Sequence, residues 1–212
     1  MDTPTKVLLT GFEPFGNLTE NPSQVIVETL QKTKLCGIEL RCCILPVDFL
    51  VAPKMVTEML NDETWQPDIV LHLGVADSRP TVTVERFAVN MMDSVKGDNA
   101  GFAPNEQTII DNAPLSYRSA IPCKQLIAFL SDEGLPVKIS NTAGTYVCNT
   151  VFYTSRHTIA TNARPVQCGF VHLTSFDKIC KKIQLKTIKS IILWLRKNQQ
   201  QASLEYLFHG NV

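Results

Sequence analysis

A thiol, an imidazole and a carboxylate are enough for nucleophilic hydrolysis of an amide, provided that the fold holds them within hydrogen-bond reach of one another. The sequence offers seven thiols: Cys36, Cys42, Cys43, Cys123, Cys148, Cys168 and Cys180. Their number is odd and no two form a C-x-x-C pair, which argues against both a disulfide framework and a zinc knuckle. Cys148 stands apart by its surroundings. It follows the small-residue stretch Ser140-Asn141-Thr142-Ala143-Gly144-Thr145, which reads as a turn from a strand into a helix, so Cys148 falls in the opening turns of that helix. Free N–H groups and the positive end of the dipole at a helix start favour a thiolate. Cys42, Cys43 and Cys168 fall inside expected strands, and Cys123, at another helix start, has no glycine-rich turn before it. Placement alone leaves Cys148 balanced between a nucleophile and a packed structural thiol.

Of the four histidines, His157 is nine residues along the same expected helix as Cys148. That puts it roughly half a turn around the axis and about 13 Å away. His209 lies in a frayed tail beyond the last expected helix, and His72 is in mid-strand. His172 closes an expected strand at the rim where Cys148 begins its helix, and by elimination it is the candidate base. An imidazole base needs an acceptor that fixes its tautomer and supports its charge. Glu85, after the alternating run Thr81-Val82-Thr83-Val84, is the leading candidate. Its neighbour Arg86 leaves an exposed ion pair as the competing reading, and Asp93 and Asp98 compete for the same role.

These side chains need elements to carry them. Short apolar runs closed by glycine or a turn predict strands at 6–10, 38–47, 68–73, 137–139 and 166–173, with a longer strand or bent pair over 81–92. Helices are expected from Asn21-Pro22, where Asn is a good cap and Pro suits the first helical position, and over 51–60, 122–130 and 146–158. A last helix over 177–197 carries Leu185, Ile188, Ile191, Ile192 and Leu195 at helical spacing. The polar stretch 93–119 reads as an excursion outside the core, with a short strand or hairpin near 107–110. Strands alternating with helices predict an α/β fold: a single three-layer domain over residues 1–212, with a mostly parallel twisted sheet and helices on both faces. In such sheets ligands gather where strands end and helices begin, which selects the loops after Thr10, Leu73, Ile139 and Leu173.

Composition narrows the chemistry further. Lys plus Arg and Asp plus Glu balance at 20 each, so neither nucleic acid nor an anionic membrane is an expected partner. The apolar start is too short for a signal segment and no 18 apolar residues run together, so a cytoplasmic location is expected. No metal-ligand cluster is present, so no metal is expected, and GFEPFG lacks the G-x-G-x-x-G spacing of a nucleotide fingerprint.

Five blocks in order carry a family resemblance: Thr10-Gly11-Phe12-Glu13-Pro14-Phe15-Gly16 with Asn21-Pro22; Val84-Glu85-Arg86 through Asn90; Asp98-Asn99-Ala100-Gly101; the stretch from Ser140 through Cys148-Asn149; and Gly169-Phe170-Val171-His172. From about residue 6 to at least 195 the chain resembles the pyroglutamyl peptidase I, or pyrrolidone carboxyl peptidase, family of cysteine peptidases. The resemblance implies Cys148 as nucleophile, His172 as base and Glu85 as acid. It also implies a single α/β domain, no cofactor, commonly a homo-oligomer, and as substrates small peptides with an N-terminal pyroglutamate. Phe12, Phe15, Tyr146 and Val147 would line the lactam slot and Asn21 would supply a polar contact, although Phe12 and Phe15 also suit a loop anchor and Asn21 a helix cap. Two positions depart from many bacterial members: Val75 replaces a Gln that contacts the ring, and Val95 replaces an Arg credited with steadying the oxyanion, with Lys96 adjacent. These departures keep open a catalytically impaired member that binds capped peptides without cutting them, and similar architectures also serve nucleoside- and phosphate-handling enzymes.

Overall fold

The computed structural model describes residues 3–16 and 18–209, with side chains through residue 199. Seven strands form one sheet: β1 (Thr5–Phe12), β2 (Ile38–Leu45), β3 (Ile69–Val75), β4 (Val82–Val89), β5 (Ser116–Arg118), β6 (Val137–Thr142) and β7 (Gln167–Leu173). Their order is β2-β1-β3-β7-β4-β5, with β6 also paired to β4. The pairs among β2, β1, β3 and β7 are parallel, as is β4 with β6. β4 runs antiparallel to β7 and β5, so the expected mostly parallel sheet is found with two strands, β4 and β6, reversed against the rest.

Helices α1 (Pro22–Gln31), α2 (Val51–Asn61), α3 (Cys123–Asp132), α4 (Val147–Thr161) and α5 (Lys181–His209) cover the two faces. Side chains alternate across each strand, so Val7, Leu9, Ile69 and Leu71 join α1, α3 and α5 in one core, while Leu8 and Val70 join α2 and α4 in the other. Asn21 caps α1 as expected, its Oδ1 accepting the Ser23 N–H at 2.9 Å ahead of Pro22.

Several elements depart from expectation, three of them with consequences for the site or its surroundings. β6 continues through Thr142, so the turn into α4 is confined to 143–146, with Gly144 at φ 85°. The excursion after β4 holds a single bridge, Met92 with Gln107, and its strand lies later, at β5. α5 starts at Lys181 because the Ser175 carbonyl ties 175–179 into a turn, accepting from the N–H groups of Lys178 and Ile179. It runs on to His209, beyond the expected end; that histidine's side chain lies outside the described residues.

His72 is a buried core residue. Its Nδ1 meets the Thr10 hydroxyl at 2.7 Å and its Nε2 the Ser155 hydroxyl at 2.8 Å, tying β1, β3 and α4 together. Burial pushes its pKa from 6.5 down to about 3. Below pH 6.5 the unfolded chain therefore takes up a proton that the folded protein refuses until about 3, and stability should fall as pH drops through that window. His72→Gln, which can hydrogen-bond both hydroxyls without titrating, should lower the slope of stability against pH by about one proton. Urea midpoints across the window give the slope; equal slopes would clear His72.

Candidate active site

Three strand ends and one helix start converge on a single cavity. β7 delivers His172, which sits in register between Gly74 on β3 and Thr83 on β4. Two residues past Thr83, on the same face of β4, Glu85 is wholly buried behind the imidazole. His172 Nδ1 lies 2.8 Å from Glu85 Oε1. An ionised carboxylate only accepts, so Nδ1 carries the proton and Nε2 is left as the basic nitrogen. The same Oε1 accepts from the Thr83 hydroxyl at 3.2 Å and from Arg79 Nη1. Arg79 Nη1 also donates to Thr83, and its Nη2 donates to the Thr142 carbonyl at 3.2 Å, so the guanidinium links the loop after β3 to β4 and β6.

The charges in this cluster oppose one another. Burial alone would raise the Glu85 pKa, but the hydrogen bond to His172, then Ser140 and the charge of Arg79, hold it below its ordinary value. For His172, burial leads and lowers the pKa; Glu85 pulls it upward and Arg79 downward, and the net direction is down. Near neutrality the site therefore holds an ionised glutamate and a neutral imidazole.

Cys148 is the second residue of α4, whose cap position, Tyr146, makes no side-chain capping bond. The N–H groups of Val147 and Cys148 thus open the helix without intrahelical acceptors. The thiol descends onto Gly74, where an added Cβ would stand 2.9 Å from Cys148 Sγ and 2.9 Å from the Phe170 ring. Glycine at this position makes room for sulfur beside His172. The helix start does not yield the expected thiolate: burial, and after it the Glu85 charge, push the Cys148 pKa up to about 12. Desolvation outweighs the helix end because the dipole contributes only about 0.3–2 kcal/mol. Asn149 fastens this turn to the end of β4, accepting the Val89 N–H at 2.9 Å and donating to the Val89 and Met91 carbonyls at 2.9 and 3.0 Å.

The cavity, about 230 Å³, is lined by Cys148, His172 and Arg79 together with Phe12, Phe15, Val47, Tyr146 and Val147, and Asn21 and Val75 are also on its wall. Phe15 and Tyr146 face each other with centroids 6.1 Å apart. Asn21 spends its Oδ1 on Ser23 and one Nδ2 hydrogen on the Glu13 carbonyl at 2.9 Å, leaving one amide hydrogen.

The rival residues are placed elsewhere. Arg86, on the opposite face of β4 from Glu85, binds Asn141 at 2.9 Å, which removes the exposed-pair reading. Asp98 spends its carboxylate on the N–H groups of Phe49, Ala100 and Phe102, and Asp93 accepts the Glu106 N–H; both organise the excursion. His157 pairs with the Tyr117 hydroxyl at 2.9 Å. The excursion is a roof as well as a detour: the Tyr146 hydroxyl donates to the Gly97 carbonyl at 3.1 Å and Thr145 to that of Asp93 at 2.7 Å. Val95 is fully exposed, so it is no part of the cavity wall. Arg79 is the residue that sequence reasoning missed.

The pyroglutamyl peptidase family model matches residues 5–193. The chain belongs to the pyroglutamyl peptidase family. Pyrrolidone-carboxylate peptidase of Thermococcus onnurineus is 39% identical over 188 residues, covering 86% of this chain and 92% of that protein. The Vibrio vulnificus (strain YJ016) protein of the same name is 38% identical over 205 residues, covering 97% of this chain and 88% of its own. Among solved structures, the pyrrolidone carboxyl peptidase of Fervidobacterium islandicum superposes with a TM-score of 0.86 at 34% identity, covering 91% of this chain and 99% of that one. A structure of the Pyrococcus furiosus enzyme gives 0.83 at 35%, with the same coverage. Membership in a peptidase family fits a site that joins a thiol, an imidazole and a carboxylate, and the three-layer fold is the family's.

Proposed function

We propose that this protein hydrolyses the amide bond after an N-terminal pyroglutamate in peptides, with Cys148 as nucleophile, His172 as general base and Glu85 as the acid that orients it. The observation that carries the reading is the meeting of Cys148 and His172 on one small aromatic-walled cavity, with His172 Nδ1 held 2.8 Å from a buried glutamate. A neutral lactam ring carries no charge, so apolar faces supply its binding and a few polar groups must read its amide. Phe12, Phe15, Tyr146 and Val147 supply the faces, and the remaining Asn21 amide hydrogen donates to the ring carbonyl in this reading. A free amino terminus would have to lose its water in this slot, which disfavours ordinary peptides.

The reaction starts from a neutral pair. As Cys148 Sγ attacks the scissile carbonyl, its proton passes to His172 Nε2, and Glu85 supports the imidazolium formed. The oxyanion faces the free N–H groups at the start of α4. Collapse breaks the C–N bond, the departing amine takes the proton from His172, and a thioester remains on Cys148. Water, deprotonated by His172, then attacks the thioester and releases pyroglutamate. Arg79 keeps Glu85 ionised and the imidazole unprotonated in the resting site, so it is a positioning residue. A reducing, cytoplasmic setting suits a nucleophile that must stay a free thiol.

Release of an aryl-amine dye from its pyroglutamyl amide tests the reading, with the prolyl amide as control because it lacks the lactam carbonyl and N–H. Cleavage of the first and not the second is expected. Tight binding of the pyroglutamyl compound without release would instead favour the impaired, peptide-binding member.

A further inference from the structure

A second hollow, of about 630 Å³, adjoins the catalytic cavity. Phe15 and Tyr146 line both, so the two share a wall. Asp93, Ser94, Lys96 and Gly97 of the roof segment also line it, and that segment is held by the Tyr146 and Thr145 hydroxyls through the Gly97 and Asp93 carbonyls. Leu18 adds an apolar side chain that is 36% exposed, and its N–H returns to the Phe15 carbonyl at 3.1 Å, so Leu18 and Phe15 belong to one turn. An exposed leucine beside an aromatic pair at the mouth of a reactive cavity has an unspent apolar surface.

Charges on the wall differ in how far they are already used. Asp77 pairs with Lys178 at 3.3 Å, and Asp93 accepts the Glu106 N–H at 3.4 Å. Lys96 touches Ser94 through its backbone alone, and its ammonium has no ion pair or hydrogen bond among the described residues. It lines the hollow while its neighbour Val95 faces solvent.

An enzyme that removes one terminal residue must accommodate the chain beyond the scissile bond. The catalytic cavity suits little more than a ring, whereas the adjoining hollow continues from its aromatic wall. At about 3.3–3.6 Å per extended residue, two or three residues would cross it.

Building on the peptidase reading, we infer that this hollow binds the peptide that follows pyroglutamate, seating an apolar side chain on Phe15 and Leu18 and the carboxylate of a short peptide on Lys96. The leaving chain is thereby held by two contacts that a dye amide does not make. Short, apolar pyroglutamyl peptides with a free carboxylate are the preferred substrates.

The test compares kcat/KM for a pyroglutamyl dye amide, pyroglutamyl-phenylalanyl-glycine and the C-terminal amide of that peptide. The wild type should favour the free acid over its amide by about two- to fivefold, the scale of one exposed ion pair, and Lys96→Gln should erase that preference. Leu18→Ser should lower both peptides relative to the dye by roughly tenfold, as expected for one lost apolar contact. Equal effects of Leu18→Ser on dye and peptides, or an acid preference that is absent or survives Lys96→Gln, would overturn the inference. Should the wild type release no dye, the peptidase reading fails instead. Calorimetric binding of the same two peptides to the wild type and both variants then decides the groove by the same ratios.

Discussion

His172→Ala should lower kcat/KM by roughly three to four orders of magnitude while the protein stays folded. The thiol itself sets this scale. With the Cys148 pKa pushed up to about 12, the thiol is protonated near neutrality and needs a base to accept its proton. The nucleophile must be made during attack. Dye release under single-turnover conditions, with circular dichroism as a check on folding, measures the loss. A decrease of less than tenfold would mean that the thiol is activated by something other than His172.

Glu85→Gln should cost about a thousandfold or more in kcat/KM, for two separable reasons. The amide carries no charge to support the imidazolium, and it can offer its NH₂ to Nδ1, which would put the ring proton on Nε2, facing the thiol. Arg79 allows the electrostatic part to be read alone. Activity requires neutral His172, so it is lost as pH falls through the imidazole pKa, which burial places below its ordinary 6.5. Arg79 lowers that pKa, so Arg79→Gln should move the acid limb of the kcat/KM profile upward. An unmoved limb would reduce Arg79 to a structural tie between the loop, β4 and β6. Full activity in Glu85→Gln, with loss in Asp98→Asn, would transfer the acid's role to the excursion.

The sequence order of strands and helices was enough to place the site, because strand ends and helix starts are where such sheets gather function. It also brought Cys148 to the start of α4 and His172 to the end of β7. One further inference was available and would have removed an ambiguity: side chains alternate along a strand, so Glu85 shares a face with Thr83 and not with Arg86. Arg79 was not legible. It lies in the irregular Ser78-Arg79-Pro80 loop, where no periodicity reports direction, and its contact with Glu85 depends on how that loop is pinned by Thr174 and Ala76. The neutral state of the thiol was hidden for another reason. A helix start can be read from local sequence, but the depth of the sulfur above Gly74 depends on β3 and β7, which are far away along the chain. The strand at β5 was missed because three residues are too few to show alternation.

Cys148 should carry the pyroglutamyl group as a thioester between the two steps. The direct measurement is to mix enzyme with excess pyroglutamyl dye amide, quench in acid within the first turnovers, and map the digested protein by mass. A pyroglutamyl adduct is expected on the peptide containing Cys148, absent from Cys148→Ala and absent with the prolyl amide. Dye release that persists in Cys148→Ala, or an adduct on any other cysteine that appears as fast as the dye, would contradict it.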